Sequence, residues 1–334
     1  MGATILLVDA DTSNRSDWER LLQHYGYKVV SAKDGKQALE KCPRIQPDLA
    51  LIADALPGMS GVEVCRRLKG AALTRYTPVI MMLPSTDGAD ATRRREAQDA
   101  GVDDFWGRPG SRWEAFNRIQ TILQLKSYID HQAESVILSL ARSLEAKDPG
   151  TEGHSERLVH YSLQLGASLG LSEDELEVLR IAGLVHDIGK VAVPDAILRK
   201  PGRLTPTEME IIRQHPVVGE SICAPLKSFR DALPLIRHHH ERMDGSGYPD
   251  GLMGEHIPLP ARILQTVDIY DALTMDRPYR KAMPQDAALA VMMSEAHRGW
   301  LDCALVVKLT DICQSTAFGL PVAEYASATS SWMA

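Results

Sequence analysis

The segment His186-Asp187-Ile188-Gly189-Lys190 lies at the end of a helically patterned run, residues 173–186, and it decides the fold of the larger part of this chain. Neutral imidazole and carboxylate are ligands that suit Mn, Fe, Ni or Zn ions, whereas a soft thiolate site would need clustered cysteines. His186 supplies a nitrogen ligand, and the two oxygens of Asp187 can bridge two cations about 3.5–4 Å apart. The segment therefore predicts a two-metal site within a helical domain.

Histidines and aspartates recur on both sides of this segment. Nine of the 11 histidines follow residue 150. Any one of them is more often a hydrogen-bonded structural histidine than a ligand, but their recurrence together favours metal binding. The candidate metal ligands are His154, His186, Asp187, His215, His239, His240 and Asp268.

The segments that carry these candidate ligands have helical patterning and few strand signals. Examples are residues 173–186, 207–215 and 261–273. Thr205 followed by Pro206 is typical of a helix start, with a cap residue and a proline in the first turn. We therefore predict that residues 143–334 form an all-α domain.

Four motifs occur in order around the candidate ligands. They are Gly-His-Ser-Glu-Arg (153–157), His-Asp-Ile-Gly-Lys (186–190), His-His-Glu-Arg-Met-Asp-Gly-Ser-Gly-Tyr-Pro (239–249) and Asp-Arg-Pro-Tyr-Arg (276–280). Together with residues 200–205 and 257–263, this order resembles the HD-GYP family of cyclic di-GMP phosphodiesterases over residues 143–305. The resemblance implies an HD-superfamily domain that hydrolyses cyclic di-GMP to linear pGpG, with onward hydrolysis to GMP left open.

The resemblance also implies a ligand set for each metal. One ion would be held by His154, His186, Asp187 and Asp268, and the second by Asp187, His215, His239 and His240. A hydroxide bridging the two metals would attack the phosphodiester. The implied cofactor is two divalent ions, with Fe or Mn preferred and Ni or Zn compatible. Some family members bind a third metal through a glutamate four residues before the first histidine, but that position here is Gly150, which favours two metals.

Substrate contacts are a further implication of the resemblance. The chain carries a formal charge of −7, so the positive field that a cyclic dinucleotide needs must be local. The implied phosphate contacts are Lys190, Arg277 and Arg280. Lysine binds phosphate as a point charge, and arginine binds it with two parallel N–H groups. Lys190 would act with Asp187 as a catalytic residue.

The loop at 245–249 is predicted to face the substrate. Its two glycines permit positive φ and Pro249 fixes its exit, so Tyr248 can project toward the ligand, although such a loop can also be only a turn. In this family the same loop has been linked to docking of diguanylate cyclase domains. Proteins with such a domain are therefore possible partners.

Two residues next to the candidate ligands are expected to support them. His238 precedes the pair that the family uses as ligands, so we assign it a structural or supporting role. Asp271 follows Asp268 by three residues and shares its helix face, which suits a residue that orients a ligand.

The first third of the chain has a different pattern. Short apolar runs at 5–8, 28–30, 49–52 and 79–83 alternate with helical stretches, which predicts a parallel sheet covered on both faces. Residues 6–11, 47–61 and 103–109 resemble the corresponding segments of a response-regulator receiver domain. The resemblance covers residues 1–124 and implies a doubly wound α/β domain with a five-stranded parallel sheet.

This receiver-like domain departs from the family at its phosphorylation site. The phosphoacceptor position, four residues before the Pro-Gly, is Ala53, and Asp54 is shifted by one residue to the other strand face. The acidic pair reads Asp9-Ala10, the hydroxyl position reads Leu83 and the lysine position reads Arg108. We therefore predict a pseudo-receiver without aspartyl-phosphate chemistry, although Asp11 leaves weak Mg²⁺ binding open.

The linker between the domains, residues 125–142, is predicted to be helical. Ile122, Ile129 and Val136 repeat every seven residues, which is too short a run to establish a coiled coil. The helix either pairs across a homodimer or packs on its own domain.

The remaining features place the chain among cytoplasmic proteins. No stretch approaches 18 apolar residues and no basic region precedes an apolar run at the N-terminus, so neither a membrane span nor a signal peptide is predicted. The five cysteines form no CxxC pair. The acidic balance opposes binding to nucleic acid.

Two alternatives to cyclic di-GMP hydrolysis stay open: a binding or scaffold protein that responds to cyclic dinucleotides, and a hydrolase of another cyclic dinucleotide.

Overall fold

The computed structural model describes residues 2–83, 91–107, 111–148, 153–276 and 280–315. The chain divides into two compact units, Met1–Gln132 and Ala133–Ala334, which we call the N-terminal unit and the C-terminal unit. The predicted linker at 125–142 lies inside one continuous helix, Arg112–Lys147, so the division falls within a helix.

The N-terminal unit is a parallel sheet with helices between its strands. The strands are β1 (Thr4–Val8), β2 (Lys28–Ala32), β3 (Leu49–Ala53), β4 (Val79–Leu83) and β5 (Asp104–Gly107). The helices are α1 (Thr12–His24), α2 (Gly35–Ile45), α3 (Gly61–Gly70), α4 (Ala91–Asp99) and α5 (Arg112–Lys147). The strand order is β2-β1-β3-β4-β5 and every pairing is parallel, which confirms the predicted five-stranded sheet.

Both faces of this sheet are apolar because successive side chains of a strand point to opposite faces. Leu6 and Val8 of β1 join one buried cluster with residues of α2 and α3. Leu7 joins the other cluster, which includes Trp18 of α1 and Ile119 of α5. Helices that cover both faces explain why the strands read as continuous apolar runs.

The C-terminal unit is helical, as predicted. Its α-helices are α6 (His154–Ser168), α7 (Glu173–Val185), α8 (Asp195–Leu198), α9 (Pro206–Ile212), α10 (His215–Cys223), α11 (Leu233–His238), α12 (Leu259–Thr274), α13 (Gln285–His297) and α14 (Cys303–Gln314). Short 3₁₀ helices occupy Ile188–Ala192, Lys227–Ala232 and Gly254–His256. Within the described residues of this unit there is no β-strand, and Asp244 and Met253 form an isolated bridge.

Local sequence explains where several of these helices begin. The predicted start at Thr205 is confirmed, because its hydroxyl accepts the Glu208 N–H while the Glu208 carboxylate accepts the Thr205 N–H. The same reciprocal cap joins Ser172 and Glu175 at the start of α7. These caps fix the start of α7, which His186 directly follows, and the start of α9, which precedes the helix that begins at His215.

Helix α12 forms the centre of the C-terminal unit. Its residues Ile263, Leu264 and Val267 are fully buried in a cluster with residues of α6, α7 and α11. This position holds Asp268 and Asp271 on the same helix against the start of α6. In the described part of the chain, no helix combines the length and apolar character that crossing a membrane requires.

Candidate metal centre

The candidate ligands lie mostly at the ends of helices that meet in the C-terminal unit. His154 is the first residue of α6, and His215 is the first residue of α10. His186 directly follows α7, and His239 directly follows α11. Helix ends bring side chains together from distant parts of the sequence, so four sequence segments contribute to one small volume.

One group of four candidate ligands surrounds a point next to Asp187. Ligand atoms of Asp187, His215, His239 and His240 all lie within 4.8 Å of one another. His215 Nε2 is 3.2 Å from His239 Nε2 and 3.2 Å from Asp187 Oδ1. These are the four residues predicted for the second metal.

A second group lies on the other side of Asp187. Ligand atoms of His154, His186 and Asp187 lie within 4.8 Å of one another. Asp268 Oδ1 is 3.5 Å from His154 Nε2. The structure therefore brings all seven predicted ligands together, with Asp187 shared by the two groups.

Three of the histidines are oriented in the same way by their own backbone. Nδ1 of His186, His215 and His239 donates to the carbonyl oxygen three residues earlier, at 3.0, 2.7 and 2.8 Å. A carbonyl oxygen only accepts, so the proton of each neutral ring is on Nδ1 and the lone pair is on Nε2. The Nε2 atoms face the groups around Asp187, as metal-binding histidines require.

His154 is oriented by a carboxylate instead. Its Nδ1 lies 2.7 Å from Asp271 Oδ2, and Arg157 Nε donates to the other oxygen of Asp271 at 2.7 Å. Burial raises the pKa of Asp271, but His154 and Arg157 lower it more, so the carboxyl stays ionised. Asp271 therefore fixes the ring so that His154 Nε2 points to Asp268 and His186.

The arrangement fits divalent cations because the Nε2 lone pairs described below receive no hydrogen bond from a protein donor. His186 Nε2 is buried and has no hydrogen-bond partner. With the proton on Nδ1, the Nε2 lone pairs of His215 and His239 face each other at 3.2 Å. A buried acceptor without a hydrogen bond lowers the stability of the fold by about 1–3 kcal/mol. Unsatisfied acceptors at His186 Nε2 and between His215 and His239 therefore indicate a site for cations.

The charge states also suit metal ligands. Burial, reinforced by the nearby His215, lowers the pKa of His240 to about 3. Burial and the neighbouring histidines hold the pKa of His239 well below its usual range. Burial raises the pKa of Asp187, but Lys190 and His186 lower it more, so this carboxyl is strongly ionised. Burial lowers the pKa of His186, but the neighbouring Asp187 raises it more. The centre thus combines an ionised carboxylate with two imidazoles, His239 and His240, whose low pKa values keep them neutral.

Lys190 lies beside the shared carboxylate. Its Nζ is 2.7 Å from Asp187 Oδ2 and 3.6 Å from Asp148 Oδ2. Burial lowers the pKa of Lys190, but the two carboxylates raise it more, so the ammonium is kept. Sequence analysis did not identify Asp148, which comes from the end of α5 and carries no motif signal of its own.

The loop that carries Tyr248 is held by a buried carboxylate that sequence analysis missed. Glu241 has 0% exposed surface, and its oxygens accept the N–H groups of Asp250, Gly251 and Leu252 at 2.7–3.1 Å. The sequence did contain a signal for Glu241, because an acidic residue directly follows the His239-His240 pair. Its structural role depends on a contact nine to eleven residues away.

Tyr248 lies against the histidines, and its contact with the substrate stays a prediction. Its N–H donates to the His240 carbonyl at 3.2 Å, and its ring centroid is 4.9 Å from that of His240. Its ring is 6.5 Å from that of His215. Arg213, which was not predicted, places its guanidinium 5.5 Å from the Tyr248 ring centroid.

The other predicted contacts have separate outcomes. Nη2 of Arg280 donates to the Ala272 carbonyl at the end of α12, so in this structure the guanidinium is engaged by backbone. His238 Nε2 lies 2.9 Å from Asp250 Oδ2, a supporting position outside the two ligand groups. Arg277 and Gly150 lie outside the described residues.

The acidic edge of the N-terminal sheet has different neighbours. Ala53 packs on the face of β3 that also buries Leu51, whereas the Asp54 carboxylate lies 3.0 Å from Nε of Arg93 on α4. One oxygen of Asp9 accepts a hydrogen bond from the Asn14 amide at 2.5 Å. Leu83 at the hydroxyl position is buried, and Arg108 lies outside the described residues.

Family models match both units. A model described as HD domain matches residues 139–305, and one described as response regulator receiver domain matches residues 5–120. These ranges agree with the helical unit that holds the histidine groups and with the unit built on the parallel sheet. The pair of matches therefore covers both structural units in the order in which they occur.

Curated relatives match this chain over half to most of its length. The chain is 36% identical over 323 residues to the cyclic di-GMP phosphodiesterase response regulator RpfG of Xanthomonas campestris, covering 89% of this chain and 85% of that protein. It is 32% identical to a probable cyclic di-GMP phosphodiesterase of Vibrio cholerae, with 87% and 73% covered. A Vibrio cholerae 3'3'-cGAMP-specific phosphodiesterase 3 is 42% identical over 168 residues, which are 50% of this chain and 36% of that protein.

Proposed function

The chain belongs to the HD-domain family of receiver-linked phosphodiesterases, and from this premise we propose that it hydrolyses cyclic di-GMP at the centre around Asp187. The observation that carries the proposal is the pair of ligand groups that share Asp187, with Nε2 lone pairs converging where the protein supplies no donor. Family membership supports the reaction class, and this geometry supports the place where it occurs.

We assign the seven ligands to two cations. His154, His186, Asp187 and Asp268 would hold one ion, and Asp187, His215, His239 and His240 would hold the other. Imidazole and carboxylate ligands favour Fe or Mn, with Ni and Zn compatible. When bound, two such ions lower the pKa of a shared water and neutralise charge that develops on the phosphoryl oxygens.

The chain's own residues would orient the reactants. Asp271 and the backbone carbonyls hold the histidine rings with Nε2 toward the cations. Lys190 holds one oxygen of Asp187 and adds a positive charge close to the scissile phosphate. Tyr248, packed on His240, would form a wall against which the substrate is placed.

Product chromatography tests the proposal. Full-length protein, purified without oxygen and loaded with Mn²⁺ or Fe²⁺, is incubated with cyclic di-GMP with and without a chelator. We expect metal-dependent pGpG, and a second peak of GMP at longer times if the linear product is also a substrate. Protein that holds two metals but forms no product would contradict the proposal.

A second substrate is favoured by one specific observation. A relative of the HD part is named as a 3'3'-cGAMP-specific phosphodiesterase, so the ligand set is compatible with a hybrid cyclic dinucleotide. Comparing kcat/KM for cyclic di-GMP and 3'3'-cGAMP on the same metal-loaded protein decides between the two. A higher kcat/KM for cyclic di-GMP than for 3'3'-cGAMP supports cyclic di-GMP as the substrate.

We further propose that the receiver domain does not accept a phosphoryl group. Ala53 supports this because it offers no nucleophile, and Asp54 supports it because its carboxylate pairs with Arg93 on α4. The domain would instead act as a docking or dimerisation module.

A homodimer through α5 is part of this proposal. Large apolar side chains are about half exposed or more at Leu125 (57%), Ile129 (55%), Val136 (57%) and Leu140 (50%), with spacings of four and seven residues along one helix. Such a stripe is typical of a helix that pairs with a second copy. Light scattering on the full chain should give a dimer that Val136→Glu weakens, and a monomeric wild type would contradict the proposal.

A further inference from the structure

Arg213 extends a stack of side chains that starts at a candidate metal ligand. It follows α9 directly and precedes the ligand His215 by two residues. Its guanidinium lies 5.5 Å from the Tyr248 ring centroid, and that ring lies 4.9 Å from His240 at an interplanar angle of 31°. The order His240, Tyr248, Arg213 therefore leads outward from the metal centre, and Arg213 is exposed.

The guanidinium of Arg213 lies over the Tyr248 ring and pairs with no carboxylate among the described residues of this unit. Several other cationic side chains of this unit pair with carboxylates: Lys190 with Asp187, Arg157 with Asp271, Arg237 with Asp250, and Arg262 with Asp302. Across residues 153–276 and 280–315, Arg213 has no carboxylate within ion-pair distance. Arg242 also lies outside an ion pair, but its guanidinium stacks on Trp300 at 4.2 Å and donates to Ser246 Oγ.

The substrate carries a second phosphate that a guanidinium can bind. A cyclic dinucleotide carries two phosphates, and a two-metal centre neutralises the one that is cleaved. The other phosphate needs cations close to the centre, and Arg213 is a candidate beside Arg277 and Arg280, which the family resemblance implies. A guanidinium held over an aromatic ring can still use its N–H groups for bidentate contact with phosphate oxygens.

We infer that Arg213 binds the phosphate that the metals do not hold, using Tyr248 as the platform that fixes its guanidinium. The inference rests on the proposed function, since it takes a cyclic dinucleotide as the ligand. It makes Arg213 a substrate-binding residue of the reaction, with no part in bond cleavage.

Two substrates separate this role from a structural one. Cyclic di-GMP has two phosphates, whereas bis(p-nitrophenyl) phosphate has one, which the metal centre would hold. For Arg213→Ala in the Mn²⁺-loaded full chain, we expect KM for cyclic di-GMP to rise about tenfold, the size expected for one charge-assisted contact. We expect kcat to stay within about twofold and kcat/KM for bis(p-nitrophenyl) phosphate to be unchanged, because neither depends on the second phosphate.

Two further variants serve as controls. Arg298→Ala removes another exposed arginine that stacks on an aromatic ring, 5.6 Å from Trp300, and it should leave both substrates unaffected. Arg213→Lys restores a point charge without the bidentate fork, so its KM should lie between wild type and Arg213→Ala. Circular dichroism checks that each variant is folded.

The outcomes are distinct. An unchanged KM for cyclic di-GMP overturns the inference, and so does an equal loss on both substrates, which would show that Arg213 acts only through the packing of Tyr248. A wild type without turnover overturns the proposed function instead. Calorimetry on metal-free protein then decides the role of Arg213: about tenfold weaker binding of cyclic di-GMP to Arg213→Ala supports it, whereas equal binding, or none to wild type, overturns it.

Discussion

The acidic edge of the receiver sheet and the centre around Asp187 differ in what neutralises their carboxylates. At the sheet edge, Asp54 faces the guanidinium of Arg93 at 3.0 Å and Asp9 accepts from the Asn14 amide. Around Asp187, imidazole lone pairs converge from four sequence segments, and buried His186 Nε2 has no hydrogen-bond partner. At the sheet edge, an arginine pairs with Asp54 Oδ2 and the buried Oδ1 has no hydrogen-bond partner. At Asp187, a lysine pairs with the carboxylate and the unmet acceptor is an imidazole nitrogen, an atom type that suits transition-metal ligation.

The two domains also differ in how the side chains of these sites are partnered. In the receiver domain, substitution of the acceptor position by Ala53 leaves a packed sheet with an internal ion pair. In the HD domain, four of the five candidate ligand rings have a partner for their second nitrogen: Asp271 for His154, and backbone carbonyls for His186, His215 and His239. Partners of that kind orient metal ligands, and their retention supports an active centre.

The largest expected effect is that of Asp187→Ala. The substitution removes the ligand shared by both groups, so turnover of cyclic di-GMP should fall on the order of a thousandfold or more, about 4 kcal/mol in transition-state stabilisation. Initial rates at saturating Mn²⁺ measure it. Asp195→Asn, which removes an exposed carboxylate paired with Lys147, is the matched control and should keep wild-type rates. Full activity of Asp187→Ala would remove the contrast between the two sites.

Asp271→Asn should have the next largest effect. The amide keeps the shape of the side chain but loses the charge that orients His154 and pairs with Arg157. Loss of such an outer partner typically lowers metal affinity about 10- to 100-fold. Titration with Mn²⁺ should show the weakening at one of two sites, because only His154 depends on Asp271. Equal weakening at both sites would indicate a general loss of structure.

Glu241→Gln should have a moderate effect on stability. The neutral amide weakens three hydrogen bonds from the loop backbone at Asp250, Gly251 and Leu252, and we expect a loss of about 1–3 kcal/mol in the free energy of unfolding. Thermal unfolding of the metal-free chain measures it. Glu255→Gln, an exposed carboxylate of the same loop region, should leave the melting temperature unchanged. A similar drop in both variants would mean that the loop does not depend on Glu241.

The smallest expected effect concerns the receiver domain. Acetyl phosphate should leave no acid-labile phosphoryl group on residues 1–124, because the acceptor position is Ala53 and Asp54 is paired with Arg93. Intact-protein mass spectrometry with and without acetyl phosphate measures this. A robust label that disappears in Asp54→Asn would show that the sheet edge has kept its chemistry, and the contrast with the HD domain would then be wrong.

Sequence patterns identified those features that depend on residue type and order. The alternation of strands and helices gave the parallel sheet, and the ordered histidine motifs indicated the residues that meet around Asp187. Features that depend on tertiary contact were not visible. Glu241 and Asp148 act across the fold on a loop and on Lys190, and Arg213 acquires its position only when the Tyr248 loop turns back onto His240.

The linker and Arg280 illustrate the same limit. A seven-residue repeat too short for a coiled coil predicted a helix at 125–142, but it did not indicate one helix continuing from Arg112 to Lys147. Arg280 stays a predicted phosphate contact, and the sequence did not indicate the hydrogen bond that its Nη2 donates to the Ala272 carbonyl at the end of α12. Motif order gives the residue type at a position, whereas the partner of a long side chain is set by packing.

The metal content of the full chain tests the central claim most directly. Protein loaded without oxygen with Mn²⁺ or Fe²⁺ and then desalted can be assayed by plasma mass spectrometry together with its Asp187→Ala variant. Two metal ions per wild-type chain and a loss of both ions in the variant are the result that a shared carboxylate predicts. One ion or none in wild type, or two ions retained without Asp187, would contradict a two-metal centre built on that residue.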